Sequence, residues 1–382
     1  MSPRAKSGGL NAAGYSMNPI DPNAEWLEAD GLGGFASGTV SGIRTRRYHA
    51  MLLTATKPPV GRMVLVNGFD AWVETARGTF AISSQRYGPD VVHPDGASRI
   101  ESFEYEPWPR WRYRIDNDLT IEQELFVPKG ESAVFVSWRV VAGIDDAGQP
   151  ASPTSATADV KLRVRAFLSD RDFHSTHHEN GSFKFSADQS GERVTFQSYD
   201  GVPAVIVYSN GHYTHEPTWY RNFLYAEEQA RGLDAAEDLA SPGVFAFSLS
   251  EKPAVLMLAG EGHAITDIES IDARHARVRT IEQGRRNNFS TSLERSADAY
   301  LVKRGQGKTL IVVIRGLAIG GATRLSHCVG FASRPAVSEK RAISCCSGLG
   351  LSRKACCLIA SPINENSLSL ILLMRRFGTS SP

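Results

Sequence analysis

Apolar and polar residues alternate along much of the chain between residues 35 and 260, with the two-residue period of half-buried β-strands. In the segment 160–166, four apolar residues alternate with one Lys and two Arg. The same period appears on both sides of a Ser190-Gly191 turn, which predicts a hairpin. Further strands are predicted at Arg62–Val66, Thr120–Phe126, Ala133–Val140, Phe245–Leu249 and Val255–Leu258.

These strands follow one another at short intervals, separated by turn residues such as Pro128-Lys129-Gly130 and without regular helices between them. Such an order favours a mainly β fold built as an antiparallel sandwich. Two segments predict helices instead. Asn222–Leu239 is rich in Ala, Glu, Gln and Arg, and Ile281–Leu301 carries spaced apolar residues that suit one helix face.

The patterns divide the chain into four parts. We predict a flexible N-terminus at 1–19, a β-sandwich domain at 20–275, a helical connector at 276–311, and a tail at 312–382 without a domain. Residues 1–18 are polar and rich in Gly, Ala and Ser, without the apolar core of a secretory signal, so a cytoplasmic location is expected.

Composition narrows the class of protein. Hydrophobic residues make up 42% and charged residues 22%, which is typical of a soluble globular protein. The net charge of +1 gives no reason to expect nucleic acid or an anionic membrane as a partner. No apolar run reaches the roughly 18 residues that a membrane span needs.

The composition changes sharply near the end of the chain. Residues 302–382 hold 12 of the 42 Lys and Arg but only 2 of the 41 Asp and Glu, and all five Cys lie at 328–357. Read two bases later, the back-translated codons of Val313–Arg324 permit the string Tyr-Pro-Trp-Leu-Gly-Asp-Trp-Gly-Arg-Asp-Thr. The hypothesis is that one nucleotide was lost near Val312, with a genuine divergent tail as the alternative.

Several motifs have a plain structural interpretation. Gly31–Ala36 matches G-x-G-x-x-A, but its surroundings are β and not strand–turn–helix, so no dinucleotide site is expected. The histidines of 174–178 lack a zinc-binding pattern, which favours a polar loop at a strand end and no metal. The acids of 227–238 favour a solvated helix face paired with Arg221 and Arg231 over a glycosidase pair.

Aromatic residues that could stack on sugars are Trp108, Trp111, Tyr113, Trp219 and Tyr220.

Three ordered strings carry a family resemblance. The first runs from Glu25-Trp26-Leu27 through Gly31–Thr39 to Thr45-Arg46-Arg47-Tyr48-His49. The second is Arg171–Asn180, and the third is Trp219–Gly243. Together they resemble the N-terminal domain of bacterial and archaeal glycogen debranching enzymes of the amylo-alpha-1,6-glucosidase type, and the string in the shifted frame resembles the start of the catalytic barrel of that family.

The resemblance implies a β-supersandwich that is followed by an (α/α)6 toroid. That toroid holds the catalytic carboxyls and hydrolyses α-1,6-linked glucose at glycogen branch stubs, without a cofactor. It is missing from this chain if the frame is broken, so no catalytic residue is assigned and the chain alone is expected to be inactive. Expected partners are glycogen or a branched α-glucan, and the toroid.

The alternatives are a non-catalytic glucan-binding domain and a different glycoside hydrolase on the same scaffold. The candidate residues for contact with glucan or with the toroid are Arg46, Arg47, Tyr48, His49, Arg171, Asp172, His177, His178, Glu179, Trp219, Tyr220, Arg231 and Asp234.

Overall fold

The computed structural model describes residues 20–142, 159–260, 269–304 and 307–310. The tail at 312–382 and the N-terminus at 1–19, with what was predicted for them, lie outside these residues. The strands are β1 Glu25–Ala29, β2 Phe35–Thr39, β3 Ala50–Lys57, β4 Val60–Thr75, β5 Gly78–Ala81, β6 Ser84–Tyr87, β7 Val91–Asp95, β8 Ile100–Glu104, β9 Arg110–Arg114, β10 Leu119–Phe126, β11 Ala133–Ala142, β12 Lys161–Asp172, β13 Ala187–Ser190, β14 Arg193–Phe196, β15 Val205–Ser209, β16 His212–Leu224, β17 Ala236–Ser248, β18 Ala254–Gly260, β19 Leu301–Arg304 and β20 Gly307–Leu310. The helices are α1 Ala226–Gln229, α2 Ile271–Asn287 and α3 Ser292–Asp298, with a 3-10 turn at Ala97–Arg99.

Two large antiparallel sheets form the body of the molecule, which confirms the mainly β fold. The ten-stranded sheet has the order β1-β2-β3-β4-β12-β17-β16-β6-β7, and β5 pairs with β4. The eight-stranded sheet has the order β13-β14-β15-β18-β11-β10-β9-β8. The predicted hairpin is confirmed as β13 and β14, with Gly191 at a φ of 58° in the turn.

The main core lies between the two sheets. Leu65 and Val164 of the ten-stranded sheet share one buried cluster with Val136 and Leu256 of the eight-stranded sheet. Trp138 is fully buried there, and its indole N–H donates to Gln123 Oε1 at 2.8 Å. Burial of alternate residues from both sheets explains the two-residue period of the sequence.

Helix α2 covers the outer face of the eight-stranded sheet. Phe135 and Met257 lie on that face, in one buried cluster with Ile271 and Val278 of the helix. Strand β11 is therefore buried on both faces, and its first four residues are all apolar for that reason. Among the described residues, no helix is long and apolar enough to cross a membrane.

The helix predicted at Asn222–Leu239 is wrong except for the four residues of α1. Most of that segment belongs to β16 and β17, which pair with each other through Phe223↔Glu237. Asn222 and Gly232 have left-handed φ values of 62° and 69°, which interrupt a helix. Burial of alternate residues in the sheet outweighs the helix propensity of the Ala and Glu residues.

The helix predicted at Ile281–Leu301 is partly confirmed. Helix α2 begins ten residues earlier, at Ile271, where the Ser270 hydroxyl accepts a hydrogen bond from the Ala273 N–H. The helical region is also broken in two, because α2 ends at Asn287 and Thr291 caps a separate α3. Strand β19 then begins at Leu301.

The Gly31–Ala36 motif forms the tight turn between β1 and β2. Asp30 Oδ1 accepts backbone N–H groups of Leu32, Gly33 and Gly34 at 2.6–3.0 Å. Gly33 has a φ of 111° and its backbone approaches Pro59 so closely that a Cβ would lie 2.8 Å from the Pro59 oxygen. A strand follows the turn instead of a helix, so the motif is structural.

A buried ion pair attaches helix α2 to the ten-stranded sheet. The Arg286 guanidinium donates to both oxygens of Glu28 in β1, at 3.0 and 2.5 Å. It also donates to Glu282 and to the carbonyl oxygens of Pro107 and Val127. Side-chain exposure is 6% for Arg286 and 4% for Glu28, so neither charge can rely on water.

We therefore expect Arg286→Ala to destabilise the protein by about 3–5 kcal/mol in urea unfolding, because it leaves Glu28 buried without its partner. Arg277→Ala is the control, since Arg277 pairs with Glu269 at the surface of the same helix and its loss should leave the unfolding midpoint unchanged. Equal stability of the two variants would contradict this account of the attachment.

Candidate functional site

The three strings that carry the family resemblance meet at one place on the ten-stranded sheet. The loop 43–49 joins β2 to β3, the loop 173–180 follows β12, and the segment 225–235 joins β16 to β17. Backbone hydrogen bonds connect them, from Glu227 N to Thr45 O at 3.0 Å and from Asp238 N to His177 O at 2.7 Å. Residues nearly two hundred positions apart are thus brought together.

Arg171 and Glu237 form the buried centre of this site. The guanidinium donates through Nε and Nη2 to the Glu237 carboxylate, and Nη2 also donates to Arg47 O at 2.7 Å. Burial alone would lower the pKa of Arg171, but the neighbouring charge of Glu237 outweighs it and the pKa is raised. The arginine is therefore charged at every physiological pH.

Glu237 accepts hydrogen bonds from several other groups. The His177 N–H lies 3.1 Å from Oε1 and the Asn67 amide lies 3.3 Å from Oε2. The hydroxyl of buried Tyr225 also donates to Oε2. With these partners and no exposed surface, Glu237 is a structural anion and has no route to a substrate.

Glu228 is the second buried acid. It lies in α1, accepts the Arg47 N–H at 3.3 Å, and lies 3.6 Å from Arg47 Nη2. The interpretation of the acids at 227–238 as a solvated helix face is therefore wrong for Glu228 and Glu237. Their partners are arginines from distant strings, and local spacing within 227–238 does not reveal them.

The loop 43–49 is also attached to β1. His49 is buried, and its Nδ1 accepts the Thr45 N–H at 3.2 Å, so Nε2 carries the proton that faces Glu25 at 3.3 Å. The hydrogen bond from His49, supported by Arg46 Nε at 2.6 Å, lowers the pKa of Glu25 to about 2. Burial lowers the pKa of His49, which keeps the imidazole neutral.

His177 is buried and stabilises the loop after β12. Its Nδ1 donates to Asp238 O at 2.9 Å, its Nε2 accepts from the Tyr199 hydroxyl at 2.6 Å, and its ring stacks on Trp219 at 5.5 Å. Burial lowers the pKa of His177. Among the described residues, no three His, Cys, Asp or Glu side chains converge as metal ligands.

The remaining candidates lie at the rim of the site. Arg231 lies 3.7 Å from Glu227, and Asp234 accepts the Thr176 hydroxyl. Asp172 Oδ1 accepts the His174 N–H at 2.9 Å. Glu179 pairs with Arg221, and His178 Nδ1 lies 3.8 Å from Asp238.

The aromatic candidates do not form one sugar-stacking surface. Trp108, Trp111 and Tyr113 are core residues with exposures of 1–5%. Trp219 packs beside His177, whereas the neighbouring Tyr220 contacts Phe167 and lies under the guanidinium of Arg165. Successive residues of a strand face opposite sides, so these two rings cannot serve one ligand together.

A different set of rings is available at the surface, and we call Tyr48, Phe173 and His174 the aromatic patch. The Tyr48 ring lies 5.8 Å from Phe173 and 5.7 Å from His174, and the Tyr48 hydroxyl lies 3.1 Å from His174 Nδ1. Arg47 and Arg62 lie over its rings. Tyr48 and Phe173 are half-buried and His174 is exposed.

The sequence patterns overlooked Phe173, His174 and Arg62 as contact residues. Phe173 and His174 stand in the string Arg171–Asn180, directly after the last residue of β12. An aromatic residue at the start of a polar loop, directly after a strand, indicates a candidate contact residue. Loops on a rigid framework often carry the residues that bind ligands. Arg62 gave no such signal, since it appeared only as part of a predicted strand.

Comparison with known proteins adds a family match. The family model described as "Glycogen debranching enzyme N terminal" matches residues 24–256, which include all three strings. No curated protein matches the chain. Among solved structures, a bacterial glucoamylase complexed with acarbose is 10% identical, with a TM-score of 0.32, over 74% of this chain and 41% of that chain. The chain thus spans less than half the length of that structure.

We expect Arg171→Ala to lower the free energy of unfolding by about 3–5 kcal/mol, because Glu237 would stay buried without its cation. Arg171→Lys should give a smaller loss, since an ammonium keeps the charge but cannot make the paired hydrogen bonds of a guanidinium. Urea unfolding measures both.

Arg221→Ala is the matched control, because Arg221 pairs with Glu179 at the surface, with side-chain exposures of 57% and 38%. Its unfolding midpoint should equal that of the wild type. A loss for Arg171→Ala no larger than that for Arg221→Ala would contradict a structural role for the buried pair.

Proposed function

Because the chain belongs to the family of glycogen debranching enzyme N-terminal domains, we propose that it serves the hydrolysis of α-1,6-linked glucose at glycogen branch stubs. Its own part in that reaction is to contact the branched α-glucan and to support a catalytic toroid. We propose a cytoplasmic location on the composition of the chain. The observation that carries the proposal is the aromatic patch, which lies where the three family strings converge.

The aromatic patch has the chemistry that sugar binding needs. A glucose ring presents C–H groups on its faces and hydroxyls at its edges, so it stacks on aromatic rings and bonds to polar groups around them. Tyr48, Phe173 and His174 supply the rings. The guanidiniums of Arg47 and Arg62 and the exposed imidazole supply donors beside them.

The acids at the same place support a non-catalytic role. Glycoside hydrolysis needs two carboxyls that reach the scissile bond from its two sides. Glu228 and Glu237 are fully buried, and Glu25 is held by His49 and Arg46. These three acids keep the framework in place, whereas Glu227 and Asp234 at the rim are exposed. We assign bond cleavage to a different domain because the family resemblance implies that the catalytic carboxyls lie there.

The alternatives are a non-catalytic glucan-binding β domain and a different glycoside hydrolase on the same scaffold. A phosphorylase limit dextrin tests both the glucan contact and the non-catalytic role. We expect the pure 382-residue chain to bind this dextrin and to release no glucose from it. Release of glucose would contradict the non-catalytic role, and absence of binding would remove the glucan contact.

We expect His174→Ala to weaken binding of glycogen about tenfold, which corresponds to ~1.4 kcal/mol for one ring contact and its hydrogen bond. Phe173→Leu should act in the same direction, because it keeps apolar packing but removes the aromatic face. Affinity electrophoresis in glycogen-containing gels measures both.

His212→Ala is the control for His174→Ala, because His212 is exposed at the other end of the long strand β16. Its affinity for glycogen should equal that of the wild type. Full affinity in both His174→Ala and Phe173→Leu would rule out the aromatic patch as the glucan contact.

A further inference from the structure

Asp170 combines two features that folded proteins seldom tolerate together. Its exposure is 4%, its carboxyl forms no salt bridge within the described part of the chain, and the group that interacts with it is the buried Ser198 hydroxyl. Its backbone has a φ of 48°, in the left-handed region that favours glycine. Buried acids without a counter-ion and strained backbone both occur preferentially at positions with a function.

Asp170 lies at an irregularity of the sheet. Leu168 pairs with Val66 and Arg171 pairs with Val64, so β12 advances three residues while β4 advances two. The left-handed residue lies inside this bulge and directly before Arg171, which pairs with Glu237. The backbone conformation of Asp170 therefore helps to orient the side chain of Arg171.

The surroundings of Asp170 favour its neutral form. The Ser198 hydroxyl beside it is buried as well. Burial raises the pKa of Asp170 to about 8, with the Ser198 hydroxyl acting in the opposite direction. A protonated carboxyl can donate to the Ser198 oxygen, whereas a carboxylate without a cation would have to draw in water.

The titratable groups around Asp170 come from three segments. Tyr199, in the segment after β14, has a pKa that burial raises and that the charge of Asp170 raises further. His177 bonds to Tyr199 from the loop after β12. Arg171 follows Asp170 on its own strand, with its charge balanced by Glu237 of β17.

We propose that Asp170 is a proton-sensitive switch, whose neutral form holds the bulge of β12 and whose ionised form loosens Arg171, Glu237 and the aromatic patch beyond them. The switch does not depend on glucan binding. Between about pH 4 and pH 8 the unfolded chain carries an ionised Asp170 and the folded chain a neutral one. The stability it contributes is complete below that window and is lost as pH rises through it.

The test is urea unfolding of the full chain between pH 5 and pH 8.5, for wild type, Asp170→Asn and Asp188→Asn. Asparagine is neutral at every pH and tolerates a left-handed backbone, so Asp170→Asn keeps the geometry without the titration. Relative to Asp170→Asn, the unfolding equilibrium constant of the wild type should rise by up to tenfold per pH unit. Asp188, exposed in β13, is the control, and its variant should follow the wild type.

Hydrogen exchange gives the local readout. The amide exchange rate of the segment 171–180 is first corrected for the pH dependence of intrinsic exchange. The corrected rate should increase above pH 8 in the wild type and not in Asp170→Asn. Asp170→Gly, which accepts the left-handed φ without a carboxyl, should follow Asp170→Asn and serves as the second variant if the first does not fold. The same pH profile in wild type and in the folded variants would overturn the proposal.

Discussion

A buried guanidinium and a buried carboxylate hold together three parts of the chain that are far apart in sequence. Arg171 reaches Glu237 and the backbone of Arg47, and Glu237 in turn fixes His177 and Tyr225. Because each charge is buried, it depends on the other for its solvation. The loops that reach the surface at this place are therefore attached to the sheet beneath them.

The same principle attaches the connector to the domain. Arg286 of α2 binds Glu28 of β1, while the apolar side of the helix covers the outer face of the eight-stranded sheet. The ion pairs Arg171–Glu237 and Arg286–Glu28 thus fix the relative positions of segments that hydrophobic packing, which has no direction, does not fix by itself. The aromatic patch depends on the first pair, since only Asp172 separates Arg171 from Phe173 and His174 in the chain.

The sequence predicted the strands well where neighbouring strands and the opposite layer bury alternate side chains. The alternation at 160–166 and the apolar segment 255–258 both correspond to observed strands, because one or both faces of each are covered. It failed at 222–239, where Glu228 and Glu237 look like solvated helix acids and are buried. Their partners Arg47 and Arg171 are 181 and 66 residues away, so no local pattern shows the pairing. The three family strings come together at one place in the fold, and several of their residues, such as His49 and His177, make internal contacts there.

We propose that the three strings build one glucan-contacting surface on a buried ionic framework. Hydrogen exchange of the full chain with and without a branched maltooligosaccharide tests it most directly. We predict that the sugar slows exchange in the loops 43–49 and 173–180 and leaves β5 unchanged, because β5 pairs with the end of β4 that lies far from the site. Saturable binding of the sugar without protection of either loop would contradict it.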